Sequence, residues 1–160
     1  MRLIVTVIVF FFAASFAYKR STADIYIEKF SPLAVELYKE TGVPASLILA
    51  VGSVESGYGK SRHSRLLHNH FGIVGGTEKG TKPYSTKYKY FASDENSYRA
   101  FAKLMSEKYG IPAMIRKGLS TPQIIAKIKR RYVEHTYDEW EKMVNSVLKD
   151  RKLNQYDIIK

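Results

Sequence analysis

Apolar residues recur at three- and four-residue spacing along most of the chain, and that spacing predicts helices. Phe30, Leu33, Ala34 and Leu37 form one such stripe, within a helix read over Thr22 to Glu40. Pro32 lies inside that stretch and predicts a fresh helical start with Ser31 as its cap, since proline suits a first turn and breaks an interior. Thr41-Gly42 ends the segment, and Val43-Pro44 opens a second helix in which Ser46 to Val54 is almost wholly apolar. Gly57 and Gly59 stop that helix. Ser61 to His70 reads as a shorter one. Ser93-Asp94-Glu95-Asn96 is a helix start, with a capping serine and acids in the first turn. The helix it opens turns Tyr98, Phe101, Leu104 and Met105 inward and ends near Gly110. Pro112 to Lys117 makes a short turn of helix. Thr121-Pro122 begins another, through Ile124, Ile125 and Ile128 to Tyr132. Thr136 to Glu139 resembles a capping box for a last helix that buries Trp140, Val144, Val147 and Leu148.

The middle of the chain has a different rhythm. Phe71 to Val74 leads into Gly75-Gly76-Thr77-Glu78-Lys79-Gly80, and Tyr84, Tyr88 and Tyr90 then fall on alternate positions. Two strands joined by a glycine-rich turn fit this pattern. The turn does not match a phosphate-binding loop, because the following Lys-Ser/Thr and helix are missing. The residues therefore predict one mainly helical domain with one small hairpin in its middle.

The N-terminus departs from both patterns. Met1-Arg2 precedes an apolar run from Leu3 to Phe12, and Ser15-Phe16-Ala17 supplies small residues. That layout predicts a signal peptide over 1–17, cut after Ala17, with one domain over 18–160. The rival, a membrane anchor, has an uncharged stretch short of the roughly 20 residues a spanning helix needs. Either reading places the domain outside the cytoplasm, periplasmic or extracellular, and no stable membrane span is expected after cleavage. The 160 residues suit one domain, predicted to be a monomer. There is no cysteine, hence no disulfide or lipid attachment. The net charge of +11 points to an anionic partner: wall polymer, anionic lipid or nucleic acid. Export argues against nucleic acid.

Charge changes the picture most at one position. Glu55 is the only charged residue between Glu40 and Lys60. On a helix it shares an apolar face with Ile48 and Val51, and it lies at the helix C-terminus, where the macrodipole disfavours negative charge. Both effects raise a carboxyl pKa, and a carboxyl protonated near neutral pH can act as a general acid. The alternative is an ordinary helix end with Glu55 turned outward. His63, His68 and His70 cluster, but His68 and His70 fall on different helix faces with no cysteine beside them; neither metal nor cofactor is predicted. Tyr84, Tyr88, Tyr90 and Tyr132 offer aromatic faces for sugar rings or for a core. Lys127, Lys129, Arg130 and Arg131 form a basic run that fits either a solvated helix end or a grip on anionic polymer.

Three segments then combine in order: Gly42-Val43-Pro44-Ala45-Ser46, Val54-Glu55-Ser56-Gly57-Tyr58-Gly59-Lys60-Ser61 and Asn69-His70-Phe71-Gly72-Ile73. Together they resemble the bacterial glucosaminidase family, the peptidoglycan hydrolases of glycoside hydrolase family 73. Lys89 to Ser93, Ser97-Tyr98, and Tyr132 with Trp140 to Val144 extend the likeness over about residues 24–157. Tyr58 stands where the family commonly has Trp, Gly52-Ser53 where it often has Ala and Leu, and His70 in a variable slot. The resemblance implies a lysozyme-like fold, a helical lobe and a small β-hairpin lobe with a cleft between. It implies hydrolysis of the β-1,4 bond between N-acetylglucosamine and N-acetylmuramic acid in peptidoglycan glycan strands. It makes Glu55 the catalytic acid and places Tyr132 beside the scissile sugar, with Tyr58, Phe71 and Tyr90 as further substrate contacts. Glycosidases generally use two carboxylates. Glu78, the one carboxylate between Glu55 and Asp94, is the candidate for the second, against a solvated turn residue. If Glu78 is idle, the substrate's own acetamido group is the alternative. Two rivals stay open: a lytic transglycosylase or muramidase, and a non-catalytic wall-binding module.

Overall fold

The computed structural model describes residues 20–78 and 80–158, so the expected signal peptide lies outside the described residues. Among the described residues seven α-helices run in chain order: α1 (Thr22–Thr41), α2 (Ala45–Ser56), α3 (Arg62–Leu67), α4 (Asp94–Glu107), α5 (Ile111–Arg116), α6 (Thr121–Tyr132) and α7 (Tyr137–Asp150). A 3-10 turn, Leu153–Asp157, closes the described chain. Helix α2 is the hub, packed against α1, α7 and the 3-10 turn. Its residues Ala45 to Ser53 are all buried. A helix that is apolar all round belongs inside.

Two expectations about helix ends fail for local reasons. Pro32 does not break α1, which is continuous through it. Proline at 32 frees the carbonyl of Glu28, and both residues lie on the exposed face, where water satisfies it. The true start is Ser21, whose hydroxyl accepts from the Asp24 N–H at 3.1 Å while Asp24 accepts from the Ser21 N–H at 3.0 Å. Thr136 precedes α7 without capping it, since its backbone is left-handed (φ 53°) and its side chain makes no cap bond.

The β-hairpin lobe is the larger correction. Among the described residues there is no strand; the 72–91 segment holds two isolated bridges, Val74 with Tyr88 and Thr77 with Tyr90. The two sides of the segment still exchange backbone bonds, Lys89 N–H to the Ile73 carbonyl (2.8 Å) and Gly75 N–H to the Lys87 carbonyl (3.0 Å), but these do not extend into a ladder. Buried Asn69 ties the two sides at their root, donating to the carbonyls of Ile73 (2.8 Å) and Lys89 (3.0 Å) and accepting from the Ile73 N–H (3.0 Å). The alternating tyrosines also lack a core to face, as Tyr84, Tyr88 and Tyr90 are only half-buried while Phe91 alone is enclosed. The mainly helical expectation stands, and the hairpin lobe is replaced by an irregular segment pinned at its root by Asn69.

Candidate active site

The end of α2 is built by its own sequence. Gly57 takes the left-handed conformation (φ 54°), and its N–H reaches the Ser53 and Val54 carbonyls. Ser56 then closes the turn, its hydroxyl donating to the Gly52 carbonyl at 2.5 Å and accepting from the Gly59 N–H at 2.8 Å. Gly52 is needed for packing. A Cβ there would lie 3.1 Å from the Phe71 ring and 3.1 Å from the Tyr26 hydroxyl. The far end of α2 has no side-chain cap of its own, because Pro44 precedes it. Asp157 from the 3-10 turn supplies one, accepting from the Ser46 N–H at 2.8 Å and the Ser46 hydroxyl at 2.6 Å. The helix that carries Glu55 is therefore fixed at both ends.

Glu55 is half-buried, and one carboxylate oxygen accepts the indole N–H of Trp140 on α7 at 2.7 Å. Its other oxygen looks toward Gly72, where a Cβ would come within 3.7 Å of it. Gly72 has φ 65°, which favours glycine for backbone reasons as well. Burial raises the Glu55 pKa above the ordinary carboxyl value, and the Trp140 hydrogen bond offsets part of that rise. Tyr132 completes the wall: its ring lies 5.2 Å from Trp140 and its hydroxyl donates to the Phe71 carbonyl at 3.0 Å. Burial, followed by the nearby Glu55 charge, lifts the Tyr132 hydroxyl well above an ordinary phenol.

Glu78 sits in a different setting. It forms an ion pair with Lys89 at 2.9 Å and accepts from the Asn96 side-chain amide at 3.1 Å. Partial desolvation works to raise its pKa, and the Lys89 and Asn96 hydrogen bonds outweigh it, so Glu78 lies below the ordinary value. No hydrogen bond joins it to Glu55 among the described residues; its contacts are to Lys89, Asn96 and neighbouring backbone.

The aromatic candidates separate by burial. Phe71 is 3% exposed, and its ring stacks on Phe101 at 4.1 Å, so it meets the site through its carbonyl and not its ring. Tyr58 is half-buried in a left-handed turn (φ 55°), edge-on to Tyr26. Two surface cavities abut it. One of about 340 Å³ runs along Val54, Gly57, Met143 and Val147, and one of about 370 Å³ along Tyr26, Phe30, Arg65 and His68; Glu55 lines neither. Tyr90 is half-buried on the irregular segment.

The histidines make a polar relay. His70 is buried, with Nδ1 3.1 Å from the Tyr26 hydroxyl and Nε2 3.3 Å from Asp94, which also meets His68 at 2.8 Å. Among the described residues no group of three His, Cys, Asp or Glu side chains is placed to hold a metal ion. Trp140 as the partner of Glu55 escaped the sequence reading, which assigned it to the core. The signal was present: the chain's one tryptophan needs an acceptor when buried, and Glu55 is the one charge on the helix it packs against.

Fold and site together define a helical domain organised around one half-buried carboxyl at the end of an apolar helix. The family model for glucosaminidases, described as mannosyl-glycoprotein endo-beta-N-acetylglucosaminidase, matches residues 31–153, and the chain belongs to that family. No curated protein matches it. Two solved structures are similar. The catalytic domain of the autolysin Auto from Listeria monocytogenes aligns with a TM-score of 0.73 at 23% identity, over 90% of this chain and 92% of that one. An N-acetylmuramoyl-L-alanine amidase from Staphylococcus aureus aligns with a TM-score of 0.71 at 17% identity, over 89% of this chain and 45% of that one. At these identities the likeness is one of fold.

Proposed function

We propose that this chain is an exported, monomeric hydrolase that cuts the β-1,4 bond between N-acetylglucosamine and N-acetylmuramic acid in peptidoglycan strands, with Glu55 as the general acid. The observation that carries the reading is the Glu55 setting. Its carboxyl is partly withdrawn from water, raised in pKa and oriented by the Trp140 N–H, with a glycine and no side chain opposite its second oxygen. Such a group keeps its proton and can pass it to a departing glycosidic oxygen. Membership of the glucosaminidase family agrees with that chemistry. Glu78 enters as the ionised partner, since it is charged at a pH where Glu55 is still protonated. To face a sugar it has to leave Lys89. Tyr58, Tyr90 and Tyr132 are the proposed sugar contacts, with Phe71 holding Tyr132 in place. Export rests on the sequence pattern at 1–17. No helix among the described residues is long and apolar enough to cross a membrane.

Glu78 is already engaged by Lys89 and Asn96, and this favours one further reading, a lytic transglycosylase that uses a single acid. Digestion of purified sacculi followed by mass spectrometry separates the two. A reducing N-acetylglucosamine end is expected, whereas 1,6-anhydro-muramic acid ends establish the transglycosylase. Glu55→Gln is expected to fold and to release no sugar; full lysis by that variant removes Glu55 from the chemistry.

A further inference from the structure

The chain's surplus of positive charge is unevenly placed. Between Lys103 and Arg131 it has eight cations (Lys103, Lys108, Arg116, Lys117, Lys127, Lys129, Arg130, Arg131) against one carboxylate, Glu107. Two of the eight are neutralised: Lys103 lies 4.0 Å from Glu107, and Lys129 binds Asp138 and Glu141. The other six are exposed and have no carboxylate within ion-pair distance among the described residues. Elsewhere among the described residues Arg20, Arg99 and Arg151 each meet a carboxylate, Arg99 as many as three (Glu36, Glu40 and Glu95), while Arg62 and Arg65 do not.

Four of the six form one continuous face. Lys127, Arg130 and Arg131 lie three and four residues apart on α6 and so share a side of it. Lys108, at the end of α4, joins them through Tyr109. The Lys108 ammonium and the Arg131 guanidinium lie 6.0 and 5.0 Å from the Tyr109 ring centre. The Tyr109 hydroxyl donates to the Arg131 carbonyl at 2.9 Å, and the Arg131 side chain donates to the Lys108 carbonyl at 3.3 Å. Arg130 stacks on Tyr137 at 4.4 Å, and part of its field is spent on Asp138. Three of the four are thus seated on aromatic rings, Lys108 and Arg131 on Tyr109 and Arg130 on Tyr137, and all four are exposed, which leaves a positive field directed at solvent.

The face also has a definite place. The same last turn of α6 that turns Arg130 and Arg131 outward carries Tyr132 inward to Trp140 and the Glu55 wall. A polyanion held on the outer side is thus held beside the acid. We propose that Lys108, Lys127, Arg130 and Arg131 form a docking face for the carboxylates of peptide stems on the peptidoglycan strand, so that the wall is gripped electrostatically next to where it is cut. The inference rests on the proposed function and deepens it. Carboxylates repeated along a strand match a row of cations better than an isolated ion does, because each contact raises the local concentration for the next.

The test uses Glu55→Gln as a silent binder, compared with the same protein carrying Lys108→Gln, Lys127→Gln, Arg130→Gln and Arg131→Gln. Pelleting with purified sacculi stripped of phosphodiester polymer by hydrofluoric acid is expected to show binding that weakens steeply with salt. The fourfold variant is expected to bind about tenfold or more weakly. Amidating the wall carboxyls with a carbodiimide and ammonia is expected to cause a similar loss. In the Glu55 background, the four substitutions carried alone are expected to leave hydrolysis of a soluble, uncharged N-acetylglucosamine oligomer unchanged. Unaltered binding by the fourfold variant, indifference to amidation, or binding abolished by the hydrofluoric acid step overturns the proposal. Tighter capture by anionic lipid vesicles than by sacculi overturns it too. Failure of the oligomer to be cut by the unsubstituted protein counts against the proposed function instead, and the pelleting result is read independently of it.

Discussion

Glu55 and Glu78 are carboxylates of one chain whose surroundings push them in opposite directions. Glu55 ends a helix buried on every side, and desolvation raises its pKa. Glu78 lies on an irregular segment, where Lys89 and Asn96 outweigh desolvation and hold it below the ordinary value. An apolar helix end makes a proton donor, and a polar loop with a cation makes a permanent anion. Two such groups are what a two-carboxylate glycosidase divides its labour between. Their anchoring differs too. Glu55 is set by an indole from α7 and by a helix capped from the 3-10 turn, while Glu78 is held by Lys89, Asn96 and a bond from its own N–H to the Tyr90 carbonyl.

The comparison breaks most sharply at Glu55. Glu55→Gln is expected to lower the rate of wall lysis by about a thousandfold, near the middle of the range for losing a general acid. It also has a stability signature with a fixed sign. A carboxyl whose pKa is raised by folding binds its proton more tightly in the folded chain. Folding stability therefore falls as pH rises from the ordinary carboxyl value through the raised one. Glutamine removes that loss, so the variant is expected to melt above the unsubstituted protein at pH 7 and level with it near pH 3. A variant that melts lower at pH 7 shows that the charged form of Glu55 is the one the fold favours.

Glu78 is expected to matter less. Glu78→Gln is expected to reduce turnover about a hundredfold while leaving the melting temperature within about two degrees, because its ion pair is partly exposed and its Asn96 contact survives in the amide. Turnover within threefold of the unsubstituted rate assigns the second role to the substrate's acetamido group and leaves Glu78 as a tether for Lys89. Gly52→Ala tests the frame that carries Glu55. Its added Cβ meets the Phe71 ring and the Tyr26 hydroxyl at 3.1 Å, so a loss of about 1–3 kcal/mol is expected by denaturant unfolding. An unchanged midpoint shows that Phe71 has room to shift.

How far the sequence foretold this arrangement depends on which contacts were local. The α2 helix, its stop at Gly57 and the isolated charge at Glu55 were legible because spacing and capping act within a few residues. The interior of α4 was legible for the same reason, with Tyr98, Phe101 and Met105 buried as their spacing predicted. The alternating run makes no hairpin because its tyrosines meet no core, and the pairing across it stops at two isolated bridges tied at their root by Asn69. Pro32 leaves α1 unbroken because a proline's cost depends on whether the carbonyl it frees sees water, which local sequence does not show. The Trp140–Glu55 bond spans 85 residues and the Asp157 cap of α2 spans 111, so neither has a local signal. The missed contacts are long-range ones that fix a site already visible from its own segment.

The finest test concerns the Trp140 hydrogen bond, which separates the effect of burial on Glu55 from that of its one donor. In the proposed mechanism the acid works protonated, so its pKa sets the alkaline limb of the pH–activity profile. Burial raises that pKa, and the indole N–H, by bonding the charged form, holds part of the rise back. Trp140→Phe keeps an aromatic ring in the α2–α7 contact and deletes the donor. The alkaline limb is then expected to move to higher pH, with the plateau rate within about tenfold of the original, the scale of one hydrogen bond. A limb that moves to lower pH means that water enters where the indole was and solvates the charge, making exclusion of solvent the larger task of Trp140. A limb that stays put while activity falls means that Trp140 aims the carboxyl without tuning it, and the contrast between Glu55 and Glu78 then rests on burial alone.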